Sequence, residues 1–170
     1  MKSLLPVALV LVVTGCGYHV SGHADLMPKT IKVLAIPAFG NATERSKLAH
    51  MITGDVTREF ISRTHYTIVS SPDQADAVLT GTLLHFTSYP VILDPVTARA
   101  TGVQVVATLQ IGLLDRHTGK TIFSRPTYEF RERYEITEDP QAYFDESGTA
   151  VERLSRDVAR SVVTAILENF

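Results

Sequence analysis

The stretch Val103–Leu113, VQVVATLQIGL, decides the fold of this chain. Its odd-numbered positions are all apolar, whereas its even-numbered positions include Gln104, Thr108 and Gln110. Because successive side chains of a strand point to opposite faces of a sheet, this alternation predicts a strand with one buried face and one polar face. The polar face is too hydrophilic for a second core, so we expect it to contact water or a partner.

Turn residues follow this strand directly and predict a hairpin. The segment Asp115–Lys120 (DRHTGK) contains Gly119, which can adopt the positive φ of a tight turn. The chain returns through TIFSRPTYEFRERYE, where Pro126 cannot donate a ladder hydrogen bond and therefore predicts an edge strand or a bulge. Further strands are predicted upstream, at Ile31–Phe39, Tyr66–Ser70 and Ala77–Tyr89.

Two amphipathic helices are predicted from apolar residues at helical spacing. The first extends from Glu44 to Arg63 and is expected to be capped by Asn41 together with Glu44. The second follows a loop predicted at 138–148 and starts with a capping box of Thr149 and Glu152. Its apolar stripe consists of Val151, Leu154, Val158, Val162 and Ile166.

These elements predict an α+β fold: a sheet of about four strands, mostly antiparallel, with both amphipathic helices packed on one face. One connection is longer than a usual hairpin loop. It extends from Pro90 to Gly102, and long connections of this kind often carry function. We expect this single domain to occupy residues 30–170.

The N-terminus has the layout of an export signal. Lys2 is followed by an apolar run over residues 4–13, which is too short to cross a membrane, and then by the only cysteine, Cys16. The sequence Val13-Thr14-Gly15-Cys16 resembles the lipobox of bacterial lipoproteins. We therefore expect a signal peptide at residues 1–15, a lipidated Cys16 carrying acyl chains such as palmitate, and a tether at residues 16–29. The thiol would be an anchor and not a nucleophile.

No catalytic signature is present in the sequence. Motifs such as GxSxG, the P-loop, GxGxxG and HExxH are absent. The six histidines do not combine with other metal-ligating residues at the spacing of a metal site, so no metal or cofactor is implied. The carboxylates of Glu129, Glu132 and Glu135 leave open an envelope hydrolase, although alternation along a strand would place Glu129 and Glu132 on opposite faces. The formal net charge of −2 gives no sign of a nucleic-acid partner.

Several basic residues lie in or beside predicted loops. Arg99 falls in the long connection, and Arg116 and Lys120 flank the hairpin turn. They are either ordinary solvated charges or a surface that makes charge-assisted contacts with an anionic ligand. The residues alone leave both interpretations open.

Six segments in order resemble the LptE family of lipopolysaccharide-assembly lipoproteins. They are GCGYHVSG, IKVLAIPAFGNAT, REFISRTHYTIV, ADAVLTGTL, LLDRHTGKTIF and ARSVVTAILENF, and together they span essentially the whole chain. The resemblance implies a non-catalytic, outer-membrane lipoprotein with a four-stranded sheet and two helices. It would be held on the periplasmic side, inside the lumen of the large β-barrel LptD, as a plug that assists barrel assembly and delivery of lipopolysaccharide to the outer leaflet.

The same resemblance gives the predicted loops a role. The Pro90–Gly102 connection would reach into the barrel or towards lipid A phosphates, and Arg99, Arg116 and Lys120 would contact lipopolysaccharide. A different class of protein remains open from the residues: a lipid-anchored pilot or a ring subunit of another envelope secretion complex, since such proteins also combine a lipobox with a small α+β domain.

Overall fold

The computed structural model describes residues 27–98, 100–135 and 140–169. The predicted signal peptide, Cys16 and most of the tether therefore lie outside the described residues. Within them the elements follow in the order β1 (Val33–Ala35), β2 (Gly40–Asn41), α1 (Ser46–Arg63), β3 (Thr67–Val69), β4 (Ala77–Leu93), β5 (Ala100–Asp115), β6 (Lys120–Glu135) and α2 (Pro140–Leu167). A 3-10 turn, Pro72–Gln74, precedes β4.

The three long strands form an antiparallel meander with β5 at its centre. Along β5 the side chains of Val105, Leu109 and Leu113 are buried, whereas those of Gln104 and Gln110 are not, so the predicted alternation is confirmed. Both predictions for the return strand are confirmed as well. β6 lies at the edge of the sheet, and its register with β5 shifts at Pro126, between the pairs Leu109↔Tyr128 and Ile111↔Arg125.

The short strands add a parallel part that makes the sheet mixed and six-stranded. β1 pairs in parallel with β3 and β4, and β2 pairs in parallel with β4. The prediction of about four strands, mostly antiparallel, thus missed short strands, and the single strand predicted at Ile31–Phe39 is divided. Pro37 lies between β1 and β2, and its missing N–H cannot continue a ladder.

Both helices cover the same face of the sheet, which confirms the predicted α+β class. The core is formed between the odd-numbered residues of β5 and the apolar stripes of the helices. Its largest fully buried side chains include Leu34, Ile52, Phe60, Leu79, Leu83, Leu109, Ile111, Leu154 and Ile166. Ser155 of α2 is also fully buried, and its hydroxyl donates a hydrogen bond to the Asp55 carboxylate of α1. This bond joins the helices and satisfies a polar group that would be costly to bury alone.

The predicted cap of α1 is wrong. The helix begins at Ser46, its N-cap residue Arg45 makes no side-chain capping bond, and the helix has no acidic residue in its first turn. Asn41 instead accepts hydrogen bonds from the N–H and hydroxyl of Thr43, at 3.0 and 2.8 Å. Asparagine side chains readily form such local turns, and here the turn ends β2 before the helix starts.

The start of α2 was also predicted wrongly. The helix begins at Pro140, so the loop predicted at 138–148 is helical from that residue on, and Thr149 and Glu152 lie inside the helix. Proline is favoured in the first turn of a helix, where its missing N–H has no partner in any case. Gly148, whose type disfavours helix interiors, is exposed within α2.

Among the described residues, none of the helices combines the length and apolar character needed to cross a bilayer.

Candidate binding surfaces

The β4–β5 hairpin is longer than the sequence predicted. β4 continues to Leu93 and β5 begins at Ala100, so the long connection predicted from Pro90 to Gly102 is mostly paired strand, and only residues 94–99 connect the two strands. All seven C-terminal residues of β4 are exposed. The pairing of β4 with β5 continues through Pro90, which lies opposite Val103.

Asp94 organises the tip of this hairpin. Its Oδ1 accepts hydrogen bonds from the N–H of Thr97 at 2.7 Å and of Val96 at 3.0 Å, and from the Thr97 hydroxyl at 2.9 Å. These donors hold the pKa of Asp94 below its usual value, and the N–H of Thr97 makes the largest contribution. Ala98 closes the turn with a φ of +55°, which a non-glycine residue adopts rarely.

The hairpin tip carries exposed apolar side chains, and the sequence reasoning did not single them out. They are Tyr89, Val91, Ile92, Leu93 and Val96, and Val96 is 90% exposed. Exposed apolar residues are ordinary one at a time, but a contiguous group of them marks a surface that another molecule covers. The signal in the sequence was the apolar run VIL at 91–93, which a loop has no reason to contain.

The β5–β6 hairpin is held by Asp115 at its base. Its buried carboxylate accepts hydrogen bonds from the N–H of His117 at 2.8 Å and from the hydroxyl of Thr118 at 2.9 Å. Gly119 has a φ of +69°, so the predicted role of this glycine in the turn is confirmed. Lys120 follows as an exposed residue, and among the described residues its ammonium group has no ion-pair partner.

Arg116, predicted to contact an anionic ligand, also makes structural hydrogen bonds within the domain. One guanidinium nitrogen, Nη1, donates hydrogen bonds to the carbonyl oxygens of Pro72 and Ala75, and the latter bond is 3.0 Å long. The backbone N–H of Arg116 donates to the carbonyl of Asp76 at 2.9 Å. Arg116 therefore attaches the hairpin to the 3-10 turn, while the exposed part of its guanidinium still reaches solvent.

Asp76 and His117 form a second link at the same place. Oδ2 of Asp76 accepts hydrogen bonds from the N–H groups of Lys32 and Val33, both at 2.8 Å, and its Oδ1 lies 3.0 Å from Nε2 of His117. The N–H of Lys32, then that of Val33, and then His117 hold the pKa of Asp76 below its ordinary value.

This lowered pKa predicts an acid-sensitive contribution to stability. Because the unfolded chain binds a proton at Asp76 more readily than the folded one, the contribution is complete above the ordinary pKa of about 4 and is lost as the pH falls through the lowered folded value. We expect Asp76→Asn to have a lower urea midpoint than the parent protein at pH 7. The difference between the two midpoints should become smaller towards pH 3. A difference that does not change with pH would contradict the assignment.

The predicted basic residues do not form one cluster. Arg116 and Lys120 lie together at the β5–β6 hairpin, whereas Arg99, which lies outside the described residues, precedes the first residue of β5. β5 has 16 residues, so its ends are about 50 Å apart. Ala100 is thus separated from Arg116 by the whole length of the sheet.

Two of the three carboxylates of β6, those of Glu129 and Glu132, form separate ion pairs. Glu129 pairs with Arg131 on the face away from the helices, and Glu132 pairs with Arg153 of α2 at 2.8 Å. A catalytic pair of carboxylates must flank the scissile bond within one cleft, whereas Glu129 and Glu132 lie on opposite faces of the sheet, so this geometry does not fit glycosidic chemistry. In residues 27–98, 100–135 and 140–169, no three metal-ligating side chains come together.

The face of the sheet away from the helices is polar and uncharged around Gln110, whereas the ion pair of Glu129 and Arg131 lies further along β6 on the same face. An open cavity of about 320 Å³ lies on it, lined by eight residues with small, hydroxyl or amide side chains predominating: Thr80, Gly81, Thr82, Gln110, Ile111, Gly112, Thr121 and Ser124. A surface of this kind offers hydrogen bonds without a net charge. It suits contact with another polar wall better than enclosure of a small ligand.

Comparison with known proteins connects this fold to a family. The LptE model, described as lipopolysaccharide-assembly, matches residues 31–166, which include every strand of the sheet and nearly all of α2. The chain belongs to the LptE family. The LptE family is a family of lipoproteins without an enzymatic role.

Solved structures show the same fold. The protein is similar to rare lipoprotein B from Shewanella oneidensis, with a TM-score of 0.54 and 16% identity over 79% of this chain and 93% of that one. It is similar to a protein from Xanthomonas campestris, with a TM-score of 0.56 and 14% identity over 84% and 89% of the two chains. No curated protein matches the chain significantly.

Proposed function

We propose that this LptE-family member is an outer-membrane lipoprotein that plugs the lumen of an LptD-type β-barrel. In this role it assists assembly of the barrel and helps to deliver lipopolysaccharide to the outer leaflet. It acts by binding and not by catalysis. Its family membership over residues 31–166 is the single observation that carries the proposal, and it favours this role over that of a pilot or ring subunit.

The two faces of the domain support this role. The helices cover one face of the sheet, and the other presents Thr80, Thr82 and Gln110 beside an open cavity. The inner wall of a wide barrel is itself polar, so the uncharged part of this face around Gln110 can lie against it without burying unpaired charges. The long strands, at about 50 Å, exceed the apolar band of about 25 Å that such a barrel presents to the membrane.

Membrane attachment is proposed to occur through Cys16. Each buried methylene contributes about 0.8 kcal/mol, so two or three acyl chains hold a protein on a bilayer almost permanently. Mass spectrometry of the mature N-terminal peptide is expected to show cleavage before Cys16 and the mass of attached acyl chains. An unmodified Cys16, or a retained signal peptide, would contradict the anchor.

Depletion of the protein tests its role in assembly. We expect the barrel partner to lose its folded, heat-modifiable form in outer membranes as the protein is depleted, and to recover it when the protein is expressed again. An unrelated outer-membrane barrel serves as the control and should stay folded. A normally assembled partner barrel in depleted cells would contradict the proposal.

Lys120 is the clearest of the proposed lipopolysaccharide contacts, because Arg116 also has a structural role. An exposed ion pair contributes up to about 1 kcal/mol, so Lys120→Gln is expected to weaken binding of purified lipopolysaccharide by up to about fivefold. Lys47→Gln removes the same charge from an exposed position on α1 and is the matched control. Equal affinities for the two variants would remove Lys120 from the site. Arg99 and Arg116 are proposed to contribute in the same way.

A further inference from the structure

The outer edge of β4 changes its partner along the strand. Near its start β4 pairs with β1 through Ala77 and Val78, and further along with β2 through Thr82 and Leu83. Beyond Leu83, within the described residues, its pairs are with β5 alone. The outer edge of β4 from Leu84 onwards thus has no neighbouring strand among the described residues.

The register identifies which backbone groups point outwards on this edge. The N–H of Ala42 donates to the carbonyl of Leu83 at 2.8 Å, so the backbone groups of Leu83 point away from β5. The register then shifts between Leu83 and His85, which adds one residue before the alternation continues. The outward residues that follow are therefore Phe86, Ser88 and Pro90. Pro90 agrees with this alternation, because a proline in an edge strand has its nitrogen, which carries no hydrogen, on the unpaired edge.

A cleft lies beside this edge. It has a volume of about 420 Å³, with residues 42–45 on one side and residues 84–88 on the other. The guanidinium of Arg45 lies 5.4 Å from the centre of the Phe86 ring at its wall. The cleft continues the line of β2, at the point where the chain leaves the sheet to enter α1. It has the position that an additional strand would occupy.

The two long edges of the sheet differ in charge. By the same alternation, the outward residues of β6 are Glu129, Arg131 and Arg133, and β6 also contains Pro126. Charges and proline on an edge strand prevent further pairing. On β4, by contrast, no charged residue occurs from Leu84 to Leu93, and the apolar side chains of the hairpin tip are exposed beside it.

We propose that the free edge of β4, from Phe86 to Pro90, receives an extended, uncharged segment of the barrel partner as an additional strand of the sheet. The backbone of Phe86 and Ser88 supplies donors and acceptors, and the carbonyl of Pro90 supplies one more acceptor. Apolar side chains of the incoming segment pack on the hairpin tip. This inference rests on the proposed function for the identity of the partner.

Photo-crosslinking in cells tests the inference. The full-length, tagged protein carries p-benzoylphenylalanine in place of Tyr89, an exposed aromatic residue next to Ser88, or in place of Arg131 on β6 as the control position. After illumination, the barrel is purified with the tagged protein and the crosslinked peptides are identified by mass spectrometry. We expect position 89 to crosslink to one short segment of the barrel partner that position 131 does not reach.

Edge variants then test the hydrogen bonds. Ser88→Pro removes an outward N–H and places a ring on the edge, while the pairing with β5 is retained, so the crosslink yield at position 89 should fall about fivefold or more. Arg133→Pro makes the same change on β6 and should leave the yield unchanged. Ser88→Lys leaves the backbone intact and adds the kind of charge that protects natural edges, so it should lower the yield as well. Thermal unfolding shows whether each variant is folded.

Several results would overturn the inference. They are an unchanged yield in both folded Ser88 variants, crosslinks from position 131 alone, and crosslinks from position 89 to a second copy of this chain, to its own residues 16–26 or to lipid only. Recovery of a stoichiometric barrel without a crosslink at position 89 would refute the strand addition and leave the proposed function intact. Failure to recover the barrel with the parent protein would refute the proposed function itself.

Discussion

Phe60→Ala is expected to lower the free energy of unfolding by about 3–5 kcal/mol. Phe60 is fully buried in α1 and is among the largest core side chains, so its removal leaves a cavity between the helices and the sheet. The C-cap residue of α1, Thr64, binds to the backbone of the same residue. Both the N–H of Thr64, at 3.0 Å, and its hydroxyl, at 2.7 Å, donate to the Phe60 carbonyl.

The neighbouring residue is a matched control for this prediction. Ile61 is 59% exposed, so Ile61→Ala also shortens an apolar side chain in α1 but should change stability by no more than about 0.5 kcal/mol. Urea unfolding followed by circular dichroism measures both variants. Similar losses of stability in the two would contradict the placement of Phe60 in the core.

Gly81→Ala is expected to destabilise the protein by about 1–3 kcal/mol, although it adds only a methyl group. A Cβ at Gly81 would lie 2.4 Å from two ring atoms of Phe39, which is nearly buried on the sheet there. Phe39 cannot easily move, because its N–H donates to the Thr53 hydroxyl of α1 at 3.0 Å. The methyl group would therefore displace the segment that connects β1 to α1.

Two comparisons isolate this collision. Gly112→Ala makes the same change in β5, where a Cβ has an ordinary contact of 3.4 Å with Thr80, and it should be nearly neutral. In a Phe39→Ala background, Gly81→Ala should cost little, because the ring that it meets is gone. Thermal or urea unfolding of the parent protein, the two single variants at positions 39 and 81 and the double variant gives the coupling free energy between the two positions. Additive losses of Gly81→Ala and Phe39→Ala would contradict the contact.

Local patterns predicted the centre of this fold and failed at its ends. The alternation from Val103 to Leu113 predicted β5 correctly, because burial of one face determines the side-chain period of a strand. The capping pairs Asn41 with Glu44 and Thr149 with Glu152 predicted helix starts that the structure does not have. Such pairs also occur in turns and helix interiors, and tertiary packing decides which use prevails.

The binding surfaces depend on register, which one sequence does not reveal. Pro90 suggested the start of a loop, yet β4 continues past it, because the missing N–H lies on the free edge. The same pairing places Arg116 and Lys120 at one end of the sheet and the connection after Asp94 at the other. The parallel pairing of β1 with β4 joins residues far apart in the chain and has no local signal.

The central claim is that this chain works as a stoichiometric subunit inside a barrel. Its most direct test is affinity purification of the tagged, full-length protein from outer membranes in mild detergent, with mass spectrometry of the proteins recovered at near-equal amount. The account predicts one large β-barrel protein in a 1:1 complex with this chain. Recovery of a secretin, of a ring of this chain alone, or of no stoichiometric partner would contradict it.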